Sequence, residues 1–93
     1  MAKKTVKFNK NGSSELPNSK PVVYKIQTAG GQTNYVGTAK KGRVQERIKE
    51  HIEKGEITGS KVQIEQTRSI NEAKQKEKNI IARSKPKYNV QGQ

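Results

Sequence analysis

The residues with the chemistry to act on a substrate fall at three places in this chain. Tyr24 and Tyr35, two of its three tyrosines, are separated by ten residues across the glycine-rich stretch "VVYKIQTAGGQTNYVG". Arg47 and His51 stand four apart, so on a helix they lie one turn above each other on a single edge and can converge on one anion. Glu77 falls four after Ala73 and three before Ile80, among the apolar positions Ile70, Ala73, Ile80 and Ile81 of a helical pattern. A carboxylate on a buried stripe must be protonated, paired or bound to a metal. Each place also has a bland explanation. Tyrosines stack across hairpins for packing alone, Arg and His at helical spacing are common on surfaces, and Glu77 could meet a Lys or Arg or sit on a ragged stripe. Gly37 ends the second tyrosine's strand, where it is either part of an ordinary turn or leaves room for another backbone or a phosphate.

Composition narrows the chemistry. The chain has no Asp, no Cys and one His, so its carboxylates are eight glutamates and the C-terminus. A Ser-His-Asp triad is excluded, as is a single-chain metal site built from several His or Cys. Without cysteine, packing alone must hold a core drawn from only 28% hydrophobic residues, and a chain of 93 residues allows one domain.

The net charge of +12 is spread along the chain. Residues 1–46 hold nine Lys and Arg against two Glu, and residues 47–93 hold eleven against six. Such a surface concentrates polyanions and releases counterions when it binds phosphates, which makes nucleic acid the leading partner. Anionic membrane is the weaker alternative. No run reaches the roughly 18 apolar residues of a membrane helix, and "MAKKTVKF" lacks the apolar segment of a signal peptide, so an intracellular location, cytoplasmic or nucleoid, is expected.

The elements that must position these residues follow from local pattern. Residues 1–20 read as a basic, mobile N-terminal extension with at most one short strand at "TVKF", and residues 21–93 as the domain. "VVYKIQT" and "YVG" flank the glycine turn as a hairpin, with Val22, Tyr24 and Ile26 on one face and Val23, Lys25 and Gln27 on the other. Val44, Ile48 and Ile52 predict an amphipathic helix of about three turns between glycines. "KVQIEQT" alternates as a third strand. Ser69 and Glu72 form a capping-box signature for a second helix that ends before Pro86.

In this order, Tyr24, then Tyr35-Val36-Gly37, then Arg47 and His51 on a helix, then Glu77 on a later helix, then Asn89 within "KPKYN", the chain resembles the GIY-YIG nuclease family over roughly residues 21–90. The two tripeptides of that family's name are matched by "VVY" and "YVG", with Val22 where the family usually has Gly. The resemblance implies an α/β fold of the α+β type, a small three-stranded antiparallel sheet flanked by helices. It also implies metal-dependent hydrolysis of phosphodiester bonds in which water attacks phosphorus in line. Glu77 would be the sole protein ligand of Mg²⁺ or Mn²⁺, with waters and phosphate completing the shell. Arg47 would bind the scissile phosphate beside Gly37, with His51 as a proton carrier or hydrogen-bond partner. Neighbouring strands would bring the phenols of Tyr24 and Tyr35 to one phosphate or its attacking water, Tyr24 being the proton acceptor. Asn89 would close the site by hydrogen bonds.

The function expected on this resemblance is a metal-dependent endonuclease acting on DNA, with RNA or branched substrates as variants. The competing expectation from charge alone is a non-enzymatic or catalytically inactive basic nucleic-acid-binding protein, and a basic partner of an acidic protein is a third class. The RNA-recognition aromatic motif, zinc-finger spacing and a helix-turn-helix are not found in the sequence. With little chain left for a separate recognition domain, specificity is expected to come from DNA structure, a protein partner or self-association. Lysines of the extension would add phosphate contacts that read no bases.

Overall fold

A computed structural model of the chain describes residues 3–55 and 57–84. Its elements run β1 (Lys3–Lys7), α1 (Lys10–Ser14), β2 (Val22–Gln27), β3 (Thr33–Ala39), α2 (Val44–Lys54), β4 (Lys61–Gln66) and α3 (Ile70–Ser84). The strands form one antiparallel sheet of four in the order β1-β4-β2-β3. The class is α+β, and the expected three-stranded sheet is corrected to four. The added strand comes from the N-terminal segment read as a mobile extension. Val6 pairs with Val62 and packs into the core, while Thr5 and Lys7 stay exposed, so the single apolar residue of "TVKF" that falls within β1 anchors the strand. Asn9 caps α1 by accepting from the Gly12 amide at 2.7 Å, and Leu16 beyond that helix is buried.

The hairpin forms where its residue types require it. Gly31 takes φ 94 in the turn, its amide donates to the Thr28 carbonyl, and the Thr28 amide donates to the Gln32 carbonyl, both at 2.9 Å. Val22, Tyr24 and Ile26 lie in the main core with Val62 and Ile64 of β4 and with Val44 and Ile48 of α2. This is the alternation the sequence predicts. Val22 is fully buried on a central strand, so its bulk is absorbed by the core.

α2 follows its apolar stripe and ends on Gly55 in the left-handed conformation. The capping box of α3 forms with a one-residue offset. The Glu72 amide donates to Ser69 Oγ at 3.2 Å, and the Glu72 carboxylate accepts from the Arg68 amide at 3.1 Å. α3 packs chiefly against β3 and β2, and an ion pair of 3.1 Å from Lys76 to Glu65 ties it to β4. Glu65 is paired with Val23, on the face of β2 opposite Tyr24. The sheet therefore lies between α2 on one face and α3 on the other, and β3 is the edge strand that separates them.

Candidate active site

The sheet register sets the two tyrosines diagonally. Tyr24 pairs with Gly37, and Tyr35 pairs with Ile26, so both phenols lie on the α2 face with ring centroids 6.2 Å apart. Gly37 is what permits this. A Cβ placed there would lie 2.5 Å from Tyr24 Oη, 2.6 Å from Cζ and 3.0 Å from Cε2 of Tyr35. The space left by the glycine is filled by the Tyr24 phenol.

Helix α2 lays Arg47 and His51 over this pair. Because Val44 and Ile48 are buried against the sheet, the neighbouring edge of the helix faces the tyrosines. Tyr24 Oη and His51 Nε2 are 2.7 Å apart, and the His51 ring centroid is 5.0 Å from that of Tyr35. In the neutral imidazole protonated at Nδ1, Nε2 accepts from the Tyr24 hydroxyl. Burial pushes the Tyr24 phenol well above the ordinary range, with the neighbouring Tyr35 and Glu77 adding to the shift. The Arg47 guanidinium, close enough to hydrogen-bond the phenolate, pulls it back. Tyr35 is also raised by burial and by Glu77, and lowered by Arg47 and by hydrogen bonding from Tyr24. At neutral pH both phenols hold their protons.

Glu77 stands on α3, on the other face of the sheet, near enough for its charge to act on both phenols. Its carboxyl is raised above the ordinary glutamate range by burial, against the opposing effect of Lys74. Among the described residues it forms no ion pair. The stripe around it is shallower than the sequence pattern implies. Ala73 is buried, whereas Ile70, Ile80 and Ile81 are only partly so, as is Glu77 itself. No group of three or more His, Cys, Asp or Glu side chains able to hold a metal occurs among the described residues. A partly buried carboxylate that forms no ion pair among the described residues and whose charge acts on two phenols nevertheless suits a hard divalent cation that keeps most of its waters.

The structure thus brings together Tyr24, Tyr35, Arg47, His51 and Glu77, with Gly37 beneath them. Asn89 lies outside the described residues. Sequence reasoning missed a cleft of about 280 Å³ beside Arg47, whose cationic lining includes Lys40, Arg43 and Lys74. Lys74 was open to discovery, three residues before Glu77 on the same helix. No helix among the described residues is long and apolar enough to cross a membrane.

Comparison with protein-family models gives no match, and comparison with curated proteins gives none either.

Proposed function

We propose that the chain is a metal-dependent endonuclease of the GIY-YIG kind that hydrolyses phosphodiester bonds in DNA. The observation that carries this reading is the convergence, from helices on opposite faces of the sheet, of one arginine and one carboxylate that forms no ion pair among the described residues on the Tyr24–His51 hydrogen bond of 2.7 Å. Packing alone explains the tyrosines. It does not explain a glutamate whose charge adds to what burial already does in keeping both phenols protonated.

Arg47 holds the scissile phosphate and offsets charge as it builds on the phosphorane oxygens. Glu77 would hold a divalent cation, which would supply Lewis-acid polarisation of the phosphate and of the leaving oxygen. The attacking water must lose a proton, and a buried phenol is a poor base on its own. The hydrogen bond to His51 removes that obstacle. As Tyr24 Oη takes the water's proton, it passes its own to His51 Nε2, so no free phenolate accumulates. Tyr35 orients the Tyr24 hydroxyl.

The test is nicking of supercoiled plasmid by the purified chain with Mg²⁺ or Mn²⁺, beside a chelated control and the Glu77→Ala variant. Metal-dependent nicking by the wild type, lost in Glu77→Ala while DNA binding persists, is the expected result. A Glu77→Ala protein that still nicks refutes the ligand assignment. No cutting of plasmid or of branched DNA by the wild type would leave a binding protein. Tyr24→Phe tests the relay, and a variant that cuts at the wild-type rate reduces the phenol to packing.

A further inference from the structure

The cleft of about 280 Å³ lies along the outer edge of β3, between α2 and α3, and the proposed chemistry uses it only at its Arg47 wall. Four cations, Lys40, Arg43, Arg47 and Lys74, line it with no carboxylate among them, and Ala39 and Ile70 add an apolar surface. Arg43 and Arg47 are partly offset by exposed partners, Glu46 at 2.7 Å and Glu50 at 3.4 Å. Lys40 and Lys74 form no ion pair among the described residues, and they stand on different elements, at the end of β3 and on α3. Gathering like charges around one concavity costs the fold stability that a bound polyanion offsets. The volume equals that of about nine waters at roughly 30 Å³ each, enough for a phosphate with its sugar but not for a base stack.

We infer that this cleft seats a second phosphate of the same nucleic-acid strand, adjacent to the one presented to Tyr24 and Arg47, with Lys40 and Lys74 closing on it from opposite walls. This rests on the nuclease reading for what occupies the neighbouring site. Arg47 belongs to both places, so a strand held by the cleft is carried directly to the phenols. The sugar lies on Ala39 and Ile70, and the contacts are to the backbone, so the subsite reads no sequence.

The experiment measures binding of the full chain to a labelled single-stranded DNA oligonucleotide across a salt series, with chelator present so that nothing is cut. Lys40→Gln/Lys74→Gln is compared with a charge-matched pair outside the cleft, Lys54→Gln/Lys61→Gln, at the C-terminal end of α2 and the start of β4. Loss of two phosphate contacts reduces the steepness of log K against log salt by about 1.4, at roughly 0.7 per contact for a single strand. The cleft pair is expected to show this loss with weaker binding at every salt concentration, and the control pair less than half of it. Equal loss from both pairs overturns the subsite, because any surface of this charge would then do. The outcome is separable from the nuclease reading. A wild type that never nicks, with the loss confined to the cleft pair, leaves the subsite standing without the enzyme. A nicking wild type with equal losses does the reverse.

Discussion

Replacing Gly37 by alanine probes the packing that positions the candidate site. The new Cβ would sit 2.5 Å from Tyr24 Oη and 2.6 Å from Cζ. Carbon contacts are comfortable at about 3.5–4.0 Å, so the ring must move by about 1 Å. Tyr24 is 0% exposed, which leaves no solvent side into which to swing. Moved towards α2, the hydroxyl collides with His51 Nε2; moved away, it stretches a bond of 2.7 Å beyond hydrogen-bonding range. Overpacking of this kind costs about 1–3 kcal/mol, and each kcal/mol lowers Tm by roughly 4–8 °C for a domain of this size. A displacement of that size also slows cleavage by about 10²-fold. The control is Gly30→Ala, whose Cβ would meet only Thr28 Oγ1 at 3.9 Å. Thermal melts followed by circular dichroism and plasmid nicking are run on both variants. If Gly37→Ala melts and cuts like Gly30→Ala, the packing argument is wrong.

Three other perturbations separate the roles. Glu77 has a raised carboxyl, so its contribution to stability is complete below the ordinary carboxylate range and lost as pH rises through the raised value. Without metal, Glu77→Gln should therefore melt no lower than wild type at neutral pH, with the advantage fading in acid. A Gln variant less stable at neutral pH would contradict the burial argument. Arg47→Ala should slow cleavage by about 10²–10³, and Arg47→Lys should fail to restore it, because an ammonium cannot replace a two-pronged donor; a fully active Lys variant would reduce Arg47 to a point charge. Val6→Ala should lower stability by about 1–2 kcal/mol, read from a melt, since Val6 is 8% exposed in a paired strand. An unchanged melt would mean that β1 contributes nothing.

The sequence by itself determined the elements whose signals are local. The alternation of Val22, Tyr24 and Ile26, the four-residue spacing of Val44, Ile48 and Ile52, the alternation of Val62 and Ile64, and the capping residues Ser69 and Glu72 each bias a few neighbouring φ/ψ pairs, and all formed as read. It also placed Arg47 and His51 on one helix edge, because helical geometry dictates this once the stripe is known. Only the tertiary structure decided the rest. β1 exists because Val6 meets Val62, more than fifty residues away, and one buried valine in a lysine-rich segment carries too weak a local pattern to announce it. The pairing of Tyr24 with Gly37 rather than with Tyr35 depends on the register of the hairpin, which turn geometry and burial set together. The 2.7 Å contact to His51, the influence of Glu77 on the phenols and the cationic cleft beside Arg47 all arise where α2 and α3 pack on opposite faces of one sheet. Residue types and spacing say which groups are available; which of them meet is decided by burial between segments far apart in the chain.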